Sequence, residues 1–343
     1  MTGTLGTKPN ALLFGLGAIG SVYASVLQRS GACNVSVVAR SNYAAVKEKG
    51  YALDSQKFGK HHHMLDGVFR DTKEAAASGI KFDYILCANK ALLTAVPTLA
   101  DQLAPIMSDQ TSIVLLQNGV GNEDPLHAAF PNSTIISAVV WTGGKAVPTG
   151  EDGVTTFQQF AAEGLTIGVD YAEGLDRATE RAKLDRLVEW LRAAGSDITP
   201  TEDIQKERWI KVIWNACWNS LTTVTRVRTN HFFASSPGAA EFATKLMDEV
   251  VAVARAKGLD IPLDTPATLL ARCQVVPGAG LPSSMMMDNE AGRPTEVEVI
   301  LGTPLREGQR LGVPVPILET IYTIVKALDW KNAHPDEAAA PGP

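Results

Sequence analysis

Residues 11–20 read Ala-Leu-Leu-Phe-Gly-Leu-Gly-Ala-Ile-Gly, an apolar strand that runs directly into a G-x-G-x-x-G turn. This pattern constrains the fold more than any other, because each glycine has its own physical task. Gly15 permits the tight strand-to-helix turn, Gly17 lets the backbone approach a pyrophosphate, and Gly20 lets the next helix pack close to the strand. The helix predicted over 18–30 aims its N-terminal amides and the positive end of its dipole at the phosphates. Leu16, Ala18 and Ile19 complete the turn as backbone contacts to a dinucleotide. A second strand, 34–39, ends in Arg40, where a NAD-binding fold places an acidic residue for the ribose 2′-hydroxyl. An arginine there suits a 2′-phosphate, so the expected cofactor is NADPH/NADP+. The uncharged run 11–27 could pass for a signal-peptide core or a short membrane span. Its three spaced glycines suit a phosphate turn better, and neither a cleavage site nor a stop-transfer segment follows.

Downstream, apolar strand patterns at 82–89, 111–117 and 134–140 alternate with helical ones at 91–104 (interrupted at Pro97) and 122–130. This alternation predicts a parallel doubly wound sheet. A loop over 142–156, strands over 154–160 and 164–169, a helix over 175–194 and a short strand near 197–199 close an α/β Rossmann-like domain, 1–200. From 201 onward apolar residues recur at helical spacing over 204–224, 239–256, 267–275, 296–311 and 317–328. An all-α domain over 201–331 is expected, followed by a disordered tail over 332–343 that is rich in proline, alanine and acid.

With 343 residues, net charge −6 and no basic run, the composition argues against nucleic acid and anionic membranes as partners. The four scattered cysteines show no metal-like spacing; three sit in apolar stretches and read as reduced core residues of an intracellular, cytoplasmic protein. His61, His62 and His63 form a run in an expected polar loop with nothing nearby to complete a metal site, so no metal is assigned.

Lys211, Asn215 and Asn219 fall at i, i+4 and i+8 of a tryptophan-rich helix and share one face. Such groups either line a polar cleft or face solvent. Glu296 opens a later helix, where a first-turn carboxylate is favoured by the dipole alone.

Together these segments resemble the ketopantoate reductase (2-dehydropantoate 2-reductase) family across nearly the whole chain. The resemblance rests on Gly15–Gly20, Arg40, Ala88-Asn-Lys90-Ala, Gln117-Asn118-Gly119-Val-Gly121, Lys211-x-x-x-Asn215-x-x-x-Asn219-x-Leu-Thr, Ser284-Met with Asp288, and Thr295-Glu296 followed by Gly302. It implies that Arg40 and Lys90 bind the 2′-phosphate side of NADPH. Asn118 stands near the nicotinamide and helps orient the catalytic lysine. Lys211 is the general acid at the keto oxygen, and Glu296 hydrogen-bonds towards cofactor or substrate. Asn215, Asn219 and Ser284 hold the substrate carboxylate and hydroxyl. Asn230 matches a further substrate-contacting asparagine once one residue is inserted, and Arg226 and Arg228 are unusually basic for that segment. The implied reaction reduces 2-dehydropantoate to D-pantoate. The alternatives are a D-2-hydroxyacid dehydrogenase acting on other branched or aromatic 2-keto acids, and a non-catalytic NADPH sensor. A small 2-keto acid is the expected partner, with room for a homodimer.

Overall fold

The computed structural model describes residues 8–148 and 150–339. These divide into two compact units. The first takes residues 8–89, 95–117 and 122–204, and the second takes 90–94, 118–121 and 205–339.

The first unit holds twelve strands: β1 (Asn10–Phe14), β2 (Asn34–Val38), β3 (Tyr51–Ser55), β4 (Gly59–His63), β5 (Gly67–Phe69), β6 (Tyr84–Cys87), β7 (Ser112–Leu115), β8 (Ile135–Val140), β9 (Gly143–Val147), β10 (Thr155–Phe160), β11 (Leu165–Asp170) and β12 (Ile198–Pro200). Eight form one sheet in the order β12-β11-β8-β7-β6-β1-β2-β5. Its pairings are parallel except β8 with β11. The strand order reverses about β1, so β1 and β6 flank a topological switch point, the place where such sheets bind dinucleotides.

Alternate residues of β1 feed two apolar layers. Ala11 and Leu13 pack with Val22 and Val26 of the helix Ala18–Ser30 and with Leu184 and Leu187 of the helix Arg177–Ala193. Leu12 and Phe14 pack with Ile85, Leu103 and Leu126 on the opposite face. A sheet covered on both faces explains why its strands are apolar runs rather than alternating patterns.

The order β4-β3-β10-β9 makes a second sheet. The sequence reading did not foresee it: residues 51–55 and 59–63 received no strand, and 143–147 fell within the expected loop. β4 is Gly-Lys-His-His-His and has no apolar pattern of its own. It is a strand because its backbone pairs with β3, whose Tyr51 and Leu53 are buried. The histidines therefore stand on a strand and not in a solvated loop. His63 Nε2 lies 2.7 Å from Ser25 Oγ, its ring packs 5.2 Å from Tyr51, and burial pushes its pKa down to about 4. It is a neutral packing residue.

The expected helix over 91–104 is also shorter than its pattern. Only Leu99–Leu103 is α-helical, capped by a reciprocal Thr98–Asp101 box. Pro97 disfavours helical backbone at Val96, and residues 90–94 associate with the second unit.

That second unit is helical: Ile204–Thr225, Thr229–Ser235, Ala239–Ala256, Thr265–Gln274, Ser284–Glu290, Thr303–Leu311 and Pro316–Ala333, with a π-helical turn at Glu298–Gly302. Its core joins Ile213, Cys217, Leu246, Val250, Ile300 and Leu318. The expected disordered tail is not seen over 332–339: the last long helix runs to Ala333, and a short helix, Pro335–Ala339, follows. Proline at the start and acids in the first turn suit a helix beginning there. Residues 340–343 lie outside the described residues.

Candidate active site

The glycine turn follows β1. A Cβ at Gly20 would lie 2.0 Å from the Gly15 carbonyl oxygen, and one at Gly15 would lie 2.9 Å from the Asn89 amide nitrogen just beyond β6. Both positions are closed by the protein's own backbone. At Gly17 a Cβ would meet nothing within 4 Å. No acidic residue stands in the first turn of the helix that follows, so its amides face no competing carboxylate. Arg40 is exposed beyond β2, and the Asn42 side chain donates to the Leu16 carbonyl at 3.0 Å, tying this segment to the turn. The residues present fit a dinucleotide: a backbone cradle for phosphates and a cation at the ribose end. Asn42, which sequence reasoning did not single out, is the brace.

In the second unit, Lys211, Asn215 and Asn219 share a face of the helix Ile204–Thr225. Asn215 and Asn219 are 6% and 4% exposed. Among the described residues neither side-chain amide has a hydrogen-bond partner. Their amide atoms are not among the fully buried unsatisfied ones, so these groups keep access to solvent and are open to a ligand. Lys211, half-buried one turn before, has its pKa pushed down to about 8 by burial and by the charge of Arg208, with Glu296 pulling in the opposite direction.

Glu296 sits just before the π-helical turn and is 5% exposed. Its Oε1 accepts the Ala91 N–H at 3.1 Å and its Oε2 accepts the Asn118 amide at 3.0 Å, with Lys90 Nζ at 3.8 Å. The preceding residue is clamped: Asp329 accepts both the Thr295 N–H (2.7 Å) and the Thr295 hydroxyl (2.9 Å). Glu298, two residues on, is held by Arg306 (2.7 Å), Lys326 (2.8 Å) and Tyr322 (3.1 Å). A carboxylate fixed on both sides cannot wander.

The loop carrying Asn118 is equally fixed. Val120 N–H donates to the Val299 carbonyl at 3.0 Å, and Arg208 Nη2 donates to the Gly119 carbonyl at 2.6 Å. A Cβ at Gly119 would lie 2.3 Å from Val299 Cβ. Arg208 was missed in the sequence. Its signal was available, because it stands one turn before Lys211 on the same apolar helix, where a buried arginine must serve a partner.

Several expected assignments change on inspection. Lys90 pairs with Asp288 and stands near Glu296, both in the helical unit. Burial works against its charge, but Glu296 and Asp288 hold its pKa above the ordinary lysine value. A lysine so engaged by carboxylates does not support the 2′-phosphate role. Asp288 also accepts from Arg293 at 3.0 Å. Asn230 gives its amide to the carbonyls of Val276 (2.6 Å) and Gly278 (3.0 Å), so it braces that loop rather than presenting a donor to substrate. Ser284 is half-buried at the first position of its helix, while its neighbour Ser283 is the cap, accepting from Met286 N–H at 3.0 Å. No group of three or more potential metal ligands occurs among the described residues. Nor is any helix among them long and apolar enough to cross a membrane.

Residues 11–164 match the family described as ketopantoate reductase PanE/ApbA, and residues 203–329 match its C-terminal domain. A 2-dehydropantoate 2-reductase of Nostoc sp. is 29% identical over 324 residues, covering 93% of this chain and 95% of its own. The crystal structure of a 2-dehydropantoate 2-reductase from Methylococcus capsulatus is similar with a TM-score of 0.78 at 32% identity, covering 94% of this chain and 98% of that one. A ternary structure of D-mandelate dehydrogenase with NADH and anilino(oxo)acetate shares the fold, with a TM-score of 0.78 at 21% identity over 94% of this chain and 99% of that one.

Proposed function

This chain belongs to the ketopantoate reductase family, and from that premise we propose that it reduces 2-dehydropantoate to D-pantoate with NADPH, using Lys211 as the general acid. The observation that carries this reading is the single helix face that aligns Lys211 with the side-chain amides of Asn215 and Asn219, neither of which has a hydrogen-bond partner among the described residues.

NADPH supplies the hydride. The chain's own residues do the rest. Hydride addition builds negative charge on the keto oxygen, and an ammonium within reach stabilises that charge and delivers a proton. At a pKa of about 8 Lys211 is still mostly protonated near neutral pH, yet it gives up its proton far more readily than an ordinary lysine. Asn215 and Asn219 bind the substrate carboxylate, with Ser284 at the hydroxyl. Glu296 and Asn118 hold one another and keep negative charge near Lys211. Arg40 takes the 2′-phosphate, and this residue favours NADPH here, whereas the D-mandelate dehydrogenase sharing the fold was captured with NADH.

Lys211→Ala is expected to lower turnover of 2-dehydropantoate by about 10²–10⁴-fold and to leave NADPH affinity nearly unchanged. Stopped-flow hydride transfer and fluorescence titration of NADPH on one folded preparation test both halves. Hydride transfer within a few-fold of wild type would remove Lys211 from this role.

A further inference from the structure

Arg208 stands one turn before Lys211 on the helix Ile204–Thr225 and is 2% exposed. Residues three apart on a helix are neighbours, and two cations placed there repel one another. Burial sharpens the cost, because an interior charge must find partners to replace its lost water. A leucine at this position would suit the apolar core that Val212 and Ile213 of the same helix join, and would carry no such cost. The cation therefore answers a need other than packing. What it reaches is a backbone carbonyl: Arg208 Nη2 donates to the Gly119 oxygen at 2.6 Å.

That grip acts on the loop that carries Asn118. Before Gly119, the Asn118 side chain donates to Glu296 Oε2 at 3.0 Å; after it, the Val120 N–H donates to the Val299 carbonyl at 3.0 Å. Gly119 itself, at φ +89°, has no side chain to restrict its backbone, so the orientation of its peptide must be held from outside. A guanidinium suits the task, being a rigid planar fork that stays charged at every working pH. Lys211 accordingly faces one fixed positive charge on its own helix, Arg208, and the Glu296 carboxylate from the segment before the π-helical turn. Beyond Glu296 stand Lys90, 3.8 Å away, and the Asp288 that pairs with Lys90 and also accepts from Arg293. We propose that Arg208 is a positioning residue for the reduction: through its grip on the Gly119 carbonyl it holds Asn118 on Glu296, and through its fixed charge it keeps Lys211 a ready proton donor. This rests on the assignment of Lys211 as the general acid.

The test is the pH profile of kcat and KM for 2-dehydropantoate in Arg208→Met, which fills much of the same space without charge or donors. Turnover is expected to fall at least about tenfold while KM changes by less than about threefold, because the proton donor and its neighbours are disturbed rather than the substrate's own contacts. The falling limb of the profile moves to higher pH, since the Lys211 ammonium holds its proton longer once the cation beside it is gone. Neutralising Glu296 shifts the limb the other way, so a general loosening of the site cannot produce both results. Either an unmoved limb or turnover within about threefold of wild type, in a variant shown folded by near-ultraviolet circular dichroism, overturns the proposal. Should Arg208→Met fail to fold, Arg208→Lys decides. One ammonium cannot reproduce the fork, so turnover at least about threefold below wild type at unchanged KM supports the proposal, and full wild-type turnover overturns it. Failure of the underlying reading is distinct: Lys211→Ala would then reduce 2-dehydropantoate as well as wild type does, whatever the Arg208 variants show.

Discussion

A methyl group at Gly17 would meet nothing within 4 Å, whereas one at Gly119 would lie 2.3 Å from Val299 Cβ. Both glycines follow strands of the same eight-stranded sheet, in motifs that look alike on paper. The first leaves open space beside the turn, which the phosphates of the proposed cofactor would use. The second lets a loop press against the π-helical turn so that Val120 can reach the Val299 carbonyl and Asn118 can reach Glu296. Glycine therefore does two unrelated jobs. In the nucleotide-binding unit it shapes a surface from local backbone. In the helical unit it brings together segments separated by 178 residues.

The sharpest way to break this contrast is Gly119→Ala. Overpacking costs about 1–3 kcal/mol, and a side chain at φ +89° adds about 1–2 kcal/mol of backbone strain. Urea unfolding is expected to show a loss of roughly 2–5 kcal/mol. A loss below about 1 kcal/mol would mean the close approach to Val299 is not needed.

Arg40→Ala comes next, and it probes the open side of the comparison. Losing a charge-assisted contact to the 2′-phosphate should cost about 1.5–3 kcal/mol, or ten- to a hundredfold in NADPH affinity, with NADH binding nearly unaffected. Equal losses for both cofactors, measured by fluorescence titration, would detach Arg40 from cofactor choice.

For the fixed carboxylate, Glu296→Gln should reduce turnover at least about tenfold, against only about 0.3–1 kcal/mol of stability for a simple first-turn acid. The pH profile adds a sign. Reduction needs Lys211 protonated, so wild-type turnover should fall as pH rises through about 8. Glu296 raises the pKa of Lys211, so removing its charge should move that falling limb to lower pH. An unchanged limb in the folded variant would leave Glu296 with a structural task only.

The smallest expected effect is on the stability of Gly17→Ala. The added methyl meets no neighbour, so unfolding should shift by less than about 1 kcal/mol, although NADPH affinity falls. A large loss of stability would erase the difference between the two glycines.

Some of this was readable from sequence and some was not, and the division follows chain separation. The glycine turn, the helix Ala18–Ser30 and Arg40 beyond β2 lie within about thirty residues, and each is dictated by local backbone geometry and apolar pattern. The same holds for the polar face of Lys211, Asn215 and Asn219, because helical periodicity alone brings them together. The second sheet escaped notice because β4 is a strand only by virtue of its partner.

Charge pairing was likewise beyond local pattern. Nothing near Lys90 in the chain marks Asp288 as its partner, and the family resemblance by itself pointed that lysine elsewhere. Only the folded helical unit joins 90–94, 118–121, Arg208 and Glu296 around Lys211. Chain pattern alone marked the glycine-built strand-to-helix turn and the shared face of Lys211, Asn215 and Asn219. Tertiary structure decided their electrostatic state, because a pKa is set by burial and by charges that come close only when distant segments pack.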